Sequence, residues 1–577
     1  MSDSAAALVN PMLAATGMAL TVLVTIGLAA YSSRLARTTG DFYVASRSVP
    51  AWWNASAISG EYLSAASFLG VAGLIMVGGA DAVWFPVGYA VGYVLLLALV
   101  AAPLRRSGAY TLPDFAEARL RSRQVRVIAS GLVVLIGWLY VLPQLQGAGL
   151  SLQILLDTPV WVGGLLVSIT VLVVIVGGGM RSVTLVQGFQ YWLKVVAIMV
   201  PVLFLLFAWR ADSSPSALTQ APPTFQEATT VSVRNPVTVT VPESLIVGVN
   251  GVPERWETGT HEIKGGSVLT FPQGAQVPHL STTPILTGSN WAQALQGGQE
   301  HALYRTYALM FALFLGTMGL PHVLVRFYTN PDGRQARRTA LVVIGLVGLF
   351  YLAPSIYGML GRLYAPELLM TGRTDAVVLL LPAKLVPGVA GEWLTALVSA
   401  GAAAAFLATA TGLTVTVAGV LSQDIVSRKV RDPIVAFRIA AAAAVIVPFL
   451  LGLFAESLPL ARAVSLAFAV AAATFSPLLL LGIWWRRLTD VGAAAGLILG
   501  GTTASVAIVI STLVPLTGWP AALLSQPAAW AMPLSLATMV IVSRRTQHRL
   551  PAGVDRIMIR LHTPESVGVR RTWSARG

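Results

Sequence analysis

"SGEYLSAASFLG", residues 59–70, lies inside a run of apolar residues that is long enough to cross a bilayer. The segment nevertheless contains a carboxylate, Glu61, and two glycines, Gly60 and Gly70. A carboxylate in hydrocarbon is costly and glycine weakens a helix, so a regular lipid-facing helix explains the segment poorly. We expect an interrupted membrane helix whose freed carbonyls and hydroxyls face the protein interior. Two alternatives remain, namely small residues that only allow close helix packing and a Glu61 that only forms a structural ion pair.

The composition is that of a polytopic membrane protein. Of 577 residues, 55% are hydrophobic and 11% are charged, whereas soluble domains carry roughly 25% charged residues. The net charge of +14 comes largely from arginines in short loops, which is typical of cytoplasmic loops and argues against nucleic-acid binding. Cysteine is absent, which excludes disulfides and thiolate metal sites. The dispersed histidines and the lack of a phosphate-binding glycine loop argue against an enzyme or an ATP-driven pump.

Thirteen segments are long and apolar enough to be predicted as membrane spans. They cover residues 11–31, 51–76, 82–104, 125–145, 160–176, 191–209, 302–325, 340–360, 393–420, 434–454, 461–485, 491–513 and 528–542. The first is predicted to be a true span and not a cleaved signal, because Met1–Asn10 carries no positive side chain. With the N-terminus outside, every arginine cluster falls on the cytoplasmic side of a plasma membrane.

The polar gap at 210–301 interrupts the series of spans. Its segment "TVSVRNPVTVTV" alternates with period two, which predicts short β-strands in an extracellular insertion. A partly ordered loop is the alternative.

A second interrupted span is predicted at "LGTMGLPHVLVRF", residues 315–327, where Gly316, Gly319 and Pro321 break an apolar run. The two interrupted spans are five apart, and two groups of five that each begin with a broken helix are typical of inverted-repeat transporters. The predicted fold is therefore all-α and polytopic, with about 13 transmembrane helices and a 5+5 repeat core. The predicted divisions are 1–40 (first span and loop), 41–209 (first repeat), 210–301 (insertion), 302–487 (second repeat), 488–543 (last two spans) and 544–577 (basic cytoplasmic tail).

Four motifs resemble the sodium:solute symporter family, most closely its acetate permease branch, over about residues 41–424. "GDFYVASRSVPAWWNASAISGEYLSAASFLG" and "GTMGLPHVLVRFYT" are similar to the two broken helices of that branch. "GGGMRSVTLVQGFQ", residues 177–190, is similar to its Gly-Gly hinge, and "FLATATGLTVTVAGVLSQD" to its cation-binding helix. The resemblance implies a LeuT-type core that works by alternating access.

The resemblance also implies a cation site between the first broken helix and the ninth span. By register, the ligands are the backbone carbonyls of Gly60 and Leu63, with Ala405, Ala408 and Thr409 opposite. Many family members have two adjacent hydroxyls where this chain has Ala408 and then Thr409. The transported ion is therefore expected to be Na+ or H+; for Na+ the metal ligands would be Gly60, Leu63 and Thr409. No other cofactor is expected.

Three ionisable residues accompany the two predicted breaks. Glu61 is predicted to act in coupling or gating, as a cation ligand or a proton carrier. A structural carboxylate paired with a loop arginine is the alternative. His322 is assigned to the same coupling group, with a structural role as its alternative. Arg326 is expected near the cytoplasmic edge as a gate or topology charge.

Solute binding is predicted at the two breaks. Ser64 and Ser67 share a helix face and are expected to hold a carboxylate, with Gly316 and Thr317 opposite. Hydrogen bonds from the two serines back to their own helix are the alternative. The predicted function is uptake of a small monocarboxylate (acetate, propionate or pyruvate) together with a cation. The alternatives are a symporter for proline, pantothenate or a sugar, and a transporter-like membrane sensor. The expected partners are solute, cation and lipid bilayer, with no nucleic acid and no obligate protein partner.

Overall fold

The computed structural model describes residues 10–33, 48–216, 223–233, 236–281, 286, 288–295, 300–454 and 459–567. Predictions for the loop at 34–47 and for the last ten residues of the tail lie outside these described residues. Within them, ten helices are long and apolar enough to cross a membrane, or up to twelve if each of two bent helix pairs is one span. The protein is therefore a mostly helical polytopic fold, and the count of 13 stays a prediction.

The helices of the first half are α1 (Pro11–Ser33), α2 (Ala51–Tyr62), α3 (Val71–Gly78), α4 (Trp84–Leu99), α5 (Ala101–Ser107), α6 (Leu112–Leu120), α7 (Arg123–Leu156) and α8 (Val160–Ala211). Those of the second half are α9 (Gly288–Ala292), α10 (Ala302–Gly319), α11 (Pro321–Phe327), α12 (Gly333–Tyr364), α13 (Glu367–Thr371), α14 (Val377–Leu385), α15 (Val389–Asp424), α16 (Pro433–Gly452), α17 (Leu460–Trp484), α18 (Asp490–Leu513), α19 (Gly518–Ser525), α20 (Ala528–Arg545) and α21 (Val554–His562).

The helix is interrupted at both stretches that the sequence singles out. α2 ends at Tyr62, Leu63 leaves helical geometry (φ −75°, ψ 85°), and a π-helical turn, Ala66–Gly70, leads into α3. α10 and α11 meet at Leu320 (φ −71°, ψ 117°) with a bend of 43°. Pro321 starts α11, the helical position at which a missing amide costs least.

The glycines near the breaks act through close packing, which corrects the expectation that they unwind the helix. Gly60 lies within α2, and a Cβ there would stand 2.2 Å from the carbonyl oxygen of Gln187. Gly316 lies within α10, where a Cβ would stand 2.6 Å from the carbonyl oxygen of Phe468. Both glycines therefore let a neighbouring backbone approach, and the chain leaves helical geometry a few residues later.

Two other glycines adopt backbone angles that side chains disfavour. Gly179 (φ 59°, ψ −153°) kinks α8 and separates its two halves, at the predicted glycine hinge. Gly79 (φ 55°) interrupts the 34-residue apolar segment Ala66–Leu99, where the sequence predicts two spans. A Cβ on Gly79 would stand 1.9 Å from the carbonyl oxygen of Trp291, so this turn depends on glycine for space as well.

The long helix α15 forms the centre of the molecule. In its most apolar stretch, 94% of the residues are buried. It packs against α1, α2, α7, α8 and α16, and its small residues allow these close approaches. α15 therefore faces the break after α2 and carries the residues that the sequence assigns to a cation site.

The described residues of the insertion form seven strands, β1 (Thr229–Val233), β2 (Val237–Val241), β3 (Leu245–Val249), β4 (Val252–Trp256), β5 (Gly259–Ile263), β6 (Ser267–Phe271) and β7 (His279–Leu280). They form two antiparallel sheets, in the orders β1-β6-β3-β4 and β5-β2-β7. Alternate side chains such as Val231, Val239 and Phe271 are buried between them, as the period-two pattern predicts. Met370 of α13 packs into this core and joins the insertion to the helices.

Candidate functional site

Glu61 and Arg326 form a buried ion pair between the two broken helices. The two side chains are 1% and 0% exposed, and Arg326 Nε lies 2.7 Å from Glu61 Oε2. The guanidinium also donates to Thr184 Oγ1 at 2.8 Å and to the side-chain oxygen of Gln187, both on α8. Arg326 is therefore a buried charge on α11 that bonds to both α2 and α8. Its partner on α2 is Glu61.

Glu61 also packs tightly against α15. Gly412 faces its carboxyl group, and a Cβ at that glycine would stand 2.1 Å from Glu61 Oε1. Glu61 Oε1 has no hydrogen-bond partner among the described residues, whereas Oε2 is bonded to Arg326. The position of the carboxylate therefore depends on a glycine in the facing helix.

Lys194 bonds to the carbonyls of Gly60 and Leu63, which the family resemblance assigns to a cation. Its side chain is fully buried on α8, and Nζ donates to the carbonyl oxygen of Leu63 at 2.7 Å and to that of Gly60. A helix leaves the carbonyls of its last turn without helical partners, and α2 ends in this turn. The break after α2 thus supplies the acceptors, and Lys194 supplies a cationic donor to both.

The other predicted cation residues lie beside this turn on α15. Thr409 Oγ1 donates to the carbonyl oxygen of Glu61 at 2.5 Å, so it satisfies a third carbonyl of the same helix end. The carbonyl oxygen of Ala408 accepts from Gln187 Nε2 at 2.8 Å. Ala405 is buried one turn earlier on the same helix. The fold brings the predicted residues together, and the ammonium of Lys194 lies among them.

Two of the residues assigned to solute binding contact tyrosine side chains. Thr317 Oγ1 is 2.9 Å from the hydroxyl of Tyr62, which also donates to the carbonyl oxygen of Tyr89 at 3.0 Å. Ser67 Oγ is 2.8 Å from the hydroxyl of Tyr351. Ser64 is fully buried at the break itself. Side chains from both broken helices are therefore connected through tyrosine hydroxyls.

Several aromatic rings enclose this region. Tyr62 packs edge-on against Tyr93 with ring centroids 4.8 Å apart, and Tyr89 stacks on Tyr351 at 5.8 Å. His322 packs edge-on against Tyr140 at 5.1 Å. Within the part of the chain that the structure describes, the hydroxyls of Tyr89 and Tyr93 and both ring nitrogens of His322 have no hydrogen-bond partner. Buried polar atoms without partners are costly, so this aromatic region is suited to a small polar ligand.

Sequence reasoning overlooked Lys194 and the tyrosines. The signal for Lys194 was present, because an ionisable residue inside a predicted span is by default a functional candidate. The tyrosines gave no such signal. They come from α2, α4, α7 and α12, and their proximity depends on the packing of four separate helices.

Comparison with known proteins agrees with this architecture. The model of the sodium:solute symporter family matches residues 42–257 and 286–500. The chain is 30% identical to the uncharacterized symporter YwcA of Bacillus subtilis (strain 168), over 89% of this chain and 90% of that protein. It is 28% identical to a monocarboxylic acid transporter of Corynebacterium glutamicum, over 91% of this chain and 90% of that protein.

A solved structure shows the same fold at low sequence identity. The substrate-bound, outward-open state of a Na+-coupled sialic acid symporter matches with a TM-score of 0.63 and 13% identity, over 92% of this chain and 98% of that chain. Fold, family model and relatives together show that this chain belongs to the sodium:solute symporter family and is a multi-pass membrane transporter, not an enzyme.

Proposed function

We propose that the protein is a secondary active symporter that takes up a small monocarboxylate together with a cation, Na+ or H+, by alternating access. The substrate class is proposed from the similarity of this chain to the monocarboxylic acid transporter of Corynebacterium glutamicum, which extends over nine-tenths of the chain. The chemistry of the aromatic region supports it, because unpartnered hydroxyls and imidazole nitrogens are suited to a small carboxylate and its short apolar chain.

In this proposal the solute lies between the two broken helices. Ser64 and Ser67 of the first break and the Gly316–Thr317 segment of the second contact it, and His322 lies beside them. Serine, threonine and tyrosine hydroxyls can donate to a carboxylate, and the faces of the surrounding rings can contact a short carbon chain. Glu61 and Arg326 join the first break to the second and are proposed to act in gating.

Transport by the purified protein tests the proposal. Reconstituted proteoliposomes are loaded with unlabelled pyruvate, and exchange with external labelled pyruvate is compared with empty liposomes. Pyruvate is a stronger acid than acetate, so less of it crosses the bilayer unaided as the neutral acid. Acetate and propionate are expected to compete, and proline, pantothenate and glucose are not. Exchange of one of the latter three without pyruvate exchange would assign another solute.

A Tyr93→Phe variant extends the test to the site. The hydroxyl of Tyr93 has no partner within the described residues, so its removal costs the fold little. We expect a raised apparent KM for pyruvate at an unchanged thermal unfolding temperature. An unchanged KM would place the solute elsewhere.

A further inference from the structure

Trp291 of the insertion contacts the end of the first broken helix. The residue belongs to α9, the short helix near the C-terminal end of the insertion, and its side chain is 3% exposed. Its indole Nε1 donates to the carbonyl oxygen of Met76 at 3.3 Å. Met76 lies near the end of α3, the half-helix that leads away from the break at Leu63. The insertion therefore bonds directly to the helix that follows the predicted solute-binding serines.

Arg362 joins the same contact from α12. Its guanidinium donates to the carbonyl oxygen of Met76 at 3.2 Å and to that of Leu286, and it lies 4.8 Å from the centre of the Trp291 ring. The face of an indole ring attracts a cation. Arg362 is 3% exposed, and among the described residues its partners are these two carbonyls and this ring, without a carboxylate. Three segments that are distant in the sequence thus meet at one arginine.

The turn that follows α3 is held by the same part of the insertion. The amide of Leu295 donates to the side chain of Asp81 in this turn. The carbonyl oxygen of Trp291 approaches Gly79, the glycine whose positive φ ends α3. Residues 288–295, which we call the arm, therefore bond to the end of α3 and to the turn beyond it.

A second attachment holds the insertion independently of the arm. Met370 of α13 is buried in the core between the two sheets. Gly372 (φ 68°) follows α13, and a Cβ there would stand 2.6 Å from Leu280 Cδ1 on β7. The insertion therefore does not need the contacts of the arm in order to remain attached to the helices. This leaves the arm available for a different role.

The predicted solute site is closed in this conformation. Ser64, Ser67 and Thr317 are at most 2% exposed. Met76 is nine residues beyond Ser67, which is roughly 14 Å along a helix. Alternating access requires the helices around the site to move so that it opens first to one side of the membrane and then to the other. A contact that joins the end of α3 to α12 and to the arm opposes such a movement.

We propose that the arm is a latch on the insertion side of the solute path, and that Trp291 and Arg362 separate from Met76 when this side opens. The inference rests on the alternating access of the proposed function. Burial of a charge is costly, and water that enters the open side would hydrate the guanidinium. Hydration of Arg362 therefore offsets part of the loss of its two carbonyls and of the ring, and no carboxylate is left without its partner.

Cross-linking the arm to the turn tests the proposal. Asp81→Cys with Leu295→Cys places two thiols at residues that contact each other, in a chain without cysteines of its own. Ile246→Cys with Arg255→Cys is the control, because these residues are opposite each other on β3 and β4 within one sheet. Exchange of labelled pyruvate in proteoliposomes is measured for both variants when reduced, after oxidation and after renewed reduction. Free thiols that still react with a maleimide give the extent of cross-linking.

Oxidation is expected to abolish exchange in the Asp81 and Leu295 variant, and reduction is expected to restore it, because the insertion side can no longer open. The control is expected to exchange equally in all three states. Exchange that persists after complete cross-linking of the arm would overturn the latch and leave the proposed function intact. An absence of monocarboxylate exchange by wild type would overturn the proposed function. In that case, or if the reduced variant does not exchange, a measurement without solute decides.

This second measurement is the accessibility of Ser67→Cys. Ser67 is 2% exposed, so a maleimide is expected to reach a cysteine there only when the site opens. Its reaction rate in detergent is compared between Ser67→Cys alone and the same variant with Trp291→Ala, which removes the bond to Met76 and the ring beside Arg362. Trp393→Ala, which removes an exposed indole, is the control.

Trp291→Ala is expected to raise the labelling rate several-fold, because it weakens the latch and the insertion side opens more often. Trp393→Ala is expected to leave the rate unchanged. All rates are measured well below the unfolding temperature of each variant, which excludes labelling of unfolded protein. A rate that Trp291→Ala does not raise, or that both tryptophan variants raise equally, would overturn the proposal.

Discussion

Glu61 is a residue whose bonding partner becomes visible only in the fold. In the sequence it is an isolated carboxylate in an apolar run, whereas in the fold it is bonded to Arg326, with both side chains buried. Removing one member of a buried pair leaves the other charge without compensation, which costs about 3–5 kcal/mol. We therefore expect Glu61→Gln to lower the thermal unfolding temperature clearly in detergent, in addition to any change in transport.

A double substitution tests whether the instability of Glu61→Gln comes from the unpaired charge of Arg326. Removing both charges with Glu61→Gln and Arg326→Gln leaves no buried ion, so stability is expected to recover in part relative to Glu61→Gln alone. Equal instability of the single and double variants would show that Arg326 is stabilised independently by Thr184 and Gln187.

Thr409 provides a second prediction for a single side chain. Its hydroxyl donates to the carbonyl of Glu61 at the buried end of α2. Thr409→Ala leaves that carbonyl without its donor and is expected to cost about 1 kcal/mol, while Thr409→Ser retains the bond and most of the stability. Thermal unfolding of the two variants and pyruvate uptake at graded sodium concentrations provide the check. A lower apparent sodium affinity without loss of stability would instead assign Thr409 to sodium.

The sequence marked single residues at the two breaks, but it did not reveal the partners that they bond in the fold. The carboxylate in an apolar run and the proline in a second run marked the two breaks in the sequence. The partners Lys194 and Arg326 lie 134 and 265 residues away along the chain from the groups they bond, and no local pattern encodes that distance. Gly60 was expected to bend the helix, whereas it lies within α2 and allows the backbone of α8 to approach. Sequence alone does not distinguish these two roles of a glycine.

At the level of elements, the contact between α2 and α15 depends on one glycine. Gly412→Ala would place a Cβ within 2.1 Å of the Glu61 carboxyl group, whereas Gly419→Ala, two turns along α15, meets nothing within 4 Å. Overpacking a tight contact costs about 1–3 kcal/mol, while alanine favours helix more than glycine does. We therefore expect Gly412→Ala to lower the unfolding temperature and to impair exchange. Gly419→Ala should leave both unchanged or slightly improved, and similar losses in the two variants would contradict this account.

Element prediction succeeded where the hydropathy or the period of the sequence was strong. The alternating segment of the insertion forms strands, and the long apolar runs form helices. Hydropathy does not report backbone angles, so the sequence divided the region around Gly79 into two predicted spans without identifying the positive φ of that glycine, which separates them. The pairing order of the strands was not predictable, since it depends on contacts between segments that are distant in sequence.

At the level of the whole molecule, orientation in the membrane is the main prediction. The arginine distribution predicts the insertion outside and the tail in the cytoplasm. Because the chain contains no cysteine, single cysteines can be introduced without background. Lys264→Cys in the insertion is expected to react with a membrane-impermeant maleimide on intact cells, and Ala552→Cys only after lysis. Labelling of Ala552→Cys on intact cells would reverse the orientation.

The position of Lys194 has a consequence for how the end of α2 responds to its surroundings. A cation that is covalently attached to the chain is not diluted, so its presence at the Gly60 and Leu63 carbonyls is independent of the salt in the surroundings. The end of α2 is therefore held to α8 by groups that a change in salt concentration does not remove, and this contact is expected to persist in dilute and in concentrated salt alike.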